Sequence, residues 1–149
     1  MKIIQLLRLL SLAAVCGLAI TVRAAERANV QGILLAASTE HGQADPRLAS
    51  YEPTLRRILR FESYRFIGEG SASITALERG QLSLGNGHNL EIETERSDGQ
   101  SIHIRVRWTA GGRTLMNTGL VLRLGVPAVL GGPATGNGSE VYAVIVIGN

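Results

Sequence analysis

Three histidines, His41, His88 and His103, are the side chains best suited by type to hold a metal or move a proton. A catalytic metal needs two or three of them converging with a carboxylate, and these share no motif spacing. His41 lies near Glu40 and Asp45, His88 beside a turn signal, and His103 in an alternating run, so all three are read as solvent-exposed. Ser71 and Ser73 in GEGSASI come nearest to a nucleophile. They lack the G-x-S-x-G elbow, and a strand follows where that elbow needs a helix. Asp45 and Asp98 are the two aspartates available to orient a base, one at a helix-cap position and one in a turn. The Gly-rich stretch GGPATGNGS at 131–139 resembles a nucleotide loop in composition but has no Lys and runs into a strand, whereas phosphate binding needs a helix N-terminus. It is read instead as a mobile surface loop between strands. Its residues Gly131, Gly132, Pro133, Ala134, Thr135, Gly136, Asn137 and Gly138 are the candidate binding residues for a protein partner. Asn137-Gly138-Ser139 fits a glycosylation acceptor, which matters only in a eukaryotic secretory route. No catalytic constellation, cofactor or metal is expected.

Charge arithmetic depends on the first 24 residues. Lys2 and Arg8 precede an uncharged apolar run from Leu9 to Val22, and Val22-Arg23-Ala24 stands before Ala25, the layout of a secretory signal peptide. The run is shorter than the ~20 residues that cross a bilayer, so cleavage is preferred to a retained anchor, and no spanning segment is expected after it. Removing Lys2, Arg8 and Arg23 takes three of the fifteen cations and leaves twelve, equal to the twelve carboxylates. The high isoelectric point therefore belongs to the leader and gives no support to nucleic-acid binding. The only Lys and the only Cys, Cys16, leave with it, which excludes a disulfide, a thiolate nucleophile and a Schiff base in the domain from 25 to 149. That domain is large enough for one core without staples.

The elements that position these residues are mainly β. VQGILLAAS at Val30–Ser38 reads as a buried strand. From Asp45 to Arg60, Leu48, Tyr51, Leu55, Ile58 and Leu59 recur at helical spacing, with Asp45 as cap and Pro46 at the first position. Pro53 inside one helix would cost ~3 kcal/mol, so a short turn at 46–49 followed by a second helix is expected. Arg56, Arg57 and Arg60 then occupy its polar side, as a solvated face or an anion site. Downstream, alternating runs at Tyr64–Ile74, Gln81–Leu84, Asn89–Arg96, Ile102–Thr109, Thr114–Leu124, Pro127–Leu130 and Val141–Ile147 predict an antiparallel sandwich or small open barrel containing a hairpin meander, in an α+β chain with one short helical region. Val141–Ile147 is apolar on both faces and should be central.

Face parity constrains the hairpins, because directly opposed residues share a face. Leu90, Ile92 and Thr94 face inward and Glu91, Glu93 and Glu95 outward; Ile102, Ile104, Val106 and Trp108 face inward and His103, Arg105 and Arg107 outward. Three-residue loops at Ser97-Asp98-Gly99, Ala110-Gly111-Gly112 and Gly85-Asn86-Gly87 would pair Ile92 with Ile104, Glu91 with Arg105, Trp108 with Thr114, Val106 with Met116 and Leu82 with Leu90. Trp108 and Met116 either pack the core or line a ligand cavity.

At Thr118–Gly132, TGLVLRLGVPAVLGG resembles the strand, turn and Gly-Gly-ended strand of the secretin β-domain, without the acidic residue before the turn Gly and without a pore region. The helix followed by FESYRFIG and a closing GGP before an apolar strand resembles small signal-bearing bacterial envelope proteins. That resemblance implies export and a helix-plus-β fold, and no catalytic residue. Two functions are expected to compete: a non-catalytic interaction domain in the periplasm or outside the cell, accessory to a secretion or surface assembly and bound to an envelope protein, or a β-domain carrier of a small apolar ligand. The alternation sets neither oligomeric state nor partner identity.

Overall fold

The computed structural model describes residues 27–149, so the leader and its cleavage position lie outside the described residues. The chain is mainly β: strands β1 (Arg27–Ser38), β2 (Ser63–Thr75), β3 (Arg79–Gly85), β4 (His88–Ser97), β5 (Ser101–Ala110), β6 (Arg113–Arg123), β7 (Ala128–Ala134) and β8 (Glu140–Gly148), with a 3-10 turn at Pro46–Leu48 and helix α1 (Glu52–Leu59) between β1 and β2. They form two four-stranded antiparallel sheets, β2-β1-β8-β7 and β3-β4-β5-β6, which do not close into a barrel. The arrangement is consistent with a β-sandwich, and the second sheet is the expected meander.

Pro46 and Pro53 explain the break in the helical region. Asp45 caps the 3-10 turn by accepting from the Arg47 backbone N–H at 3.0 Å. Pro53 falls in the first turn of α1, where its missing N–H costs no hydrogen bond. Arg60 ends the helix in the left-handed region at φ 53°. Leu48 and Leu55 turn inward and join Ile33, Leu35, Ala37, Tyr64, Ala143, Ile145 and Ile147 in one cluster on the outer face of the first sheet. The opposite face contributes Val30, Leu34, Val144 and Val146 to a second cluster, shared with Leu82, Leu90, Ile92, Ile104, Val106, Trp108 and Leu122. Helix on one side and sheet on the other explain why β1 and β8 read as continuous apolar runs, since a strand covered on both faces loses the polar half of its alternation. β8 is central, as its sequence predicts.

The inward and outward faces follow parity, but two registers differ from expectation by two residues. Ile92 pairs with Val106 rather than Ile104, and Glu91 with Arg107 rather than Arg105. Trp108 pairs with Met116 rather than Thr114, and Val106 with Thr118 rather than Met116. Leu82 pairs with Leu90 as expected. The turns are two-residue turns accompanied by bulges, not three-residue loops. Asn86 and Gly87, at φ 52° and 77°, make a turn with both central residues left-handed, and the unpaired Leu84 absorbs the odd residue. Gly111-Gly112 does the same with Leu115 unpaired. Between β4 and β5 the chain turns at Gly99-Gln100, Asp98 Oδ1 accepts from the Gln100 and Ser101 backbone N–H groups, and Glu95 is the extra residue. The strand expected at Pro127–Leu130 also shifts: it begins at Ala128 and continues through Gly131–Ala134.

The sides of the two-sheet stack are unlike. On one, β2 meets β3 with no side chain between them: a Cβ on Gly68 would overlap the Leu84 carbonyl oxygen, and one on Gly70 the Ser83 carbonyl oxygen. A bulge at Ile67 sets this contact by bringing 68, 70, 72 and 74 to the inter-sheet face while Tyr64 and Phe66 face the helix. On the other side β6 and β7 end their sheets, and among the described residues no backbone hydrogen bond joins them.

Candidate interaction surface

The open side is built from β6, the connection 124–127 and β7. Thr118, Leu120 and Leu122 share the inward parity of their β5 partners Val106, Ile104 and Ile102. Leu122 is buried, whereas Met116 and Leu120 stay half-buried because no strand of the facing sheet lies fully over them. Leu115, Ala128 and Tyr142 complete an incompletely covered margin of the core. Outside it, Val121 is 56% exposed, and Leu124 and Val126 are also exposed. A surface cleft of about 660 Å³ runs beside them, lined by Asp98, Gly99, Gln100, Ser101, Arg123, Leu124 and Val126.

The candidate binding residues divide between strand and turn. Gly131, Gly132, Pro133 and Ala134 belong to β7, which corrects their reading as a mobile loop. Gly132 lies against the Trp108 ring, where a Cβ would overlap the indole. Thr135, Gly136, Asn137 and Gly138 form the turn into β8, and it is tethered: Thr135 Oγ1 donates to Glu140 Oε1 at 3.1 Å and accepts from the Asn137 N–H at 3.3 Å. Arg65 pairs with Glu140 at 3.0 Å, and Ser139 Oγ donates to Glu40 Oε1 at 3.1 Å.

The histidines do not converge. His41 is almost fully exposed and lies 3.6 Å from Glu62. The His103 ring is 3.3 Å from Arg96 Nη2 on the outer face. His88 is a correction: it is 3% exposed, in the inter-sheet core, where the Trp108 indole N–H donates to its Nδ1 at 3.0 Å and the Tyr142 ring packs against it, tilted by 55° with centroids 4.4 Å apart. Burial lowers its pKa, since the imidazolium would lose water, and a proton on Nδ1 would displace the bond from Trp108. Parity carried this information, because His88 falls on the same face as Leu90 and Ile92. Ser71 and Ser73 lie on β2 opposite Gln31 and Asn29. Among the described residues no group of three His, Cys, Asp or Glu could hold a metal ion.

Electrostatics on the exposed sheet face is balanced. Arg79 pairs with Glu93 at 3.2 Å, Arg105 with Glu95 at 2.8 Å and Arg107 with Glu91 at 3.4 Å, all across adjacent strands. Arg47 holds the Asp45 carboxyl at about 2 by donating to it and lies 4.0 Å over the Phe66 ring. Arg56 is bonded to Glu52 at 2.8 Å, so the helix arginines form no free anion pocket with it. Arg113 and Arg123, which bracket β6, have no carboxylate partner among the described residues.

The sequence singles out Met116 as core or cavity lining and places Thr118 to Arg123 in the secretin-like stretch, but does not mark β6 as an open edge. The signal was present as a strand with no charge from Thr114 to Leu122 between two arginines. No protein-family model matches the chain, and neither a curated protein nor a solved structure matches it. No helix among the described residues is long and apolar enough to cross a membrane.

Proposed function

We propose that this chain is an exported, non-catalytic interaction domain that binds a protein of the cell envelope through the open side of its two-sheet stack, as an accessory of a secretion or surface assembly. The observation that carries the reading is the difference between the two sides: β2 and β3 cover each other, while β6 and β7 leave sheet edges and a half-covered apolar margin. A filled interior favours this over a carrier of an apolar ligand, because Trp108, Leu82, Leu90, Ile92, Ile104, Leu34 and Leu122 are each under 2% exposed between the sheets. The candidate residues Gly131 to Gly138 lie on this side as the β7 edge and its turn.

A photo-crosslinking residue placed at Val121, on the open side, and at Ser83, beside the glycine contact, tests the reading in the native envelope. The expected result is one protein adduct from position 121 and none from position 83. Equal adducts from both positions, or none from either, would overturn it. N-terminal sequencing of the exported product checks the leader, with Ala25 expected as the first residue.

A further inference from the structure

We infer that the β6 edge is a strand-addition site for an extended, acid-flanked segment of a partner polypeptide, which rests on the reading above and names its partner's chemistry. Each of the four sheet edges can be asked whether it could accept a strand. β2 and β3 cannot, because their backbones touch at Gly68 and Gly70. β7 is seven residues long, loses register between Gly131 and Ala134, and carries Pro133, which has no N–H to donate. β6 is eleven residues long, ends its sheet, has no Pro, and carries charge only at its two end residues, Arg113 and Arg123. Short length, Pro, bulges and charges are the devices that normally block edge pairing, and between its two terminal arginines β6 has only its one bulge, at Leu115, near its start.

The occupant follows from what flanks and underlies that edge. Added residues of inward parity would cover Met116, Thr118 and Leu120, so the partner needs apolar side chains at every second position. Arg113 and Arg123, exposed and without carboxylate partners, stand at its two ends and call for acidic residues about nine positions apart. A second copy of this chain does not fit that charge pattern. Antiparallel pairing of two full β6 strands would set Arg113 against Arg123 of the other copy at both ends. Gly119, on the outward parity with nothing nearer than 4.0 Å to its would-be Cβ, leaves the middle of the edge unobstructed.

The test uses a blocked ten-residue synthetic peptide of alternating Val and Ser between an N-terminal Asp and a C-terminal Glu, and a companion with Lys at both ends. Fluorescence anisotropy should show saturable binding of the acidic peptide and at least tenfold weaker binding of the Lys peptide. In the double variant Arg113→Glu/Arg123→Glu, both changes on exposed residues, the preference should reverse. Thr118→Lys, which puts a charge on the inward parity of the edge, should abolish binding of either peptide, with far-UV circular dichroism confirming the fold. Absence of binding by the native chain, an unreversed preference, or a concentration-dependent dimer lost on Thr118→Lys would each overturn the inference. A crosslink from Val121 in the envelope would still stand in those cases, so this inference can fail while the broader reading survives.

Discussion

Replacing Trp108 by Phe separates two consequences of the buried indole–imidazole bond. Trp108 is fully buried and His88 is 3% exposed, so the lost N–H leaves His88 Nδ1 without a partner and with little access to water. An orphaned buried acceptor costs about 1–3 kcal/mol. The smaller ring also withdraws from Gly132; two carbons' worth of contact at about 0.8 kcal/mol each adds ~1.6 kcal/mol. The variant should therefore be about 2.5–4.5 kcal/mol less stable at pH 8, where His88 is neutral in both folded and unfolded chains. Below its ordinary value of 6.5 the unfolded chain takes up the proton first, because burial lowers the folded pKa. Native stability is thus lost as pH falls from 6.5 toward the folded value, by up to about 1.4 kcal/mol per unit from this residue. In the Phe variant Nδ1 no longer accepts a bond that protonation would break, so the folded pKa rises and that loss shrinks. The gap between the two proteins should narrow between pH 8 and pH 5. Urea unfolding followed by far-UV circular dichroism reads this directly and avoids fluorescence, since Trp108 is the only tryptophan. A stability difference below 1 kcal/mol at pH 8, or one unchanged at pH 5, would refute the reasoning.

Gly70→Ala should cost more than 3 kcal/mol or prevent folding, because its Cβ meets the Ser83 carbonyl, whereas Gly119→Ala, with open space around it, should be neutral or slightly stabilising; thermal melts of the pair compare them. Leu77 is 78% exposed and held at φ 66°, so Leu77→Gly should raise stability by about 1 kcal/mol, measured by the urea midpoint. Glu91→Ala should change stability by less than about 1 kcal/mol, with the difference vanishing in high salt, because its pairing with Arg107 is exposed. Asn86→Val should cost about 1–3 kcal/mol, since a β-branched residue resists φ 52° in a two-residue turn.

How far the fold could be read in advance is clearest in the hairpins. Alternation along β4 and β5 assigned every face correctly, Glu93 outward and Ile104 inward, yet misplaced the pairing by two residues. A pattern of period two identifies register only to within two, and the remainder is decided by which residues bulge. Leu84, Glu95 and Leu115 carry no mark of that in their side chains. The two-part helical region was legible because Pro53 has few permitted places, and the central position of β8 because both its faces are apolar. His88 was misread from its residue type, although its own face gave the answer. The open side was hardest to see, since whether an edge is covered depends on contacts between strands distant in sequence. For β2 and β3 it depended on Gly68 and Gly70, which announce themselves only as glycines.

The order of strands also has a kinetic side. The meander β3-β4-β5-β6 is contiguous, each strand joined to the next by a tight turn, so its pairings close small loops and should form early. The first sheet is assembled differently, because β1 and β8 pair across about a hundred intervening residues, as Ser38 with Glu140 shows. Until that pairing closes, the meander has Leu90, Ile92, Ile104 and Trp108 arrayed on a face with nothing over it. A chain paused there is a ready substrate for a holdase and a hazard to its neighbours, and the interval before β1 finds β8 sets how long it stays so.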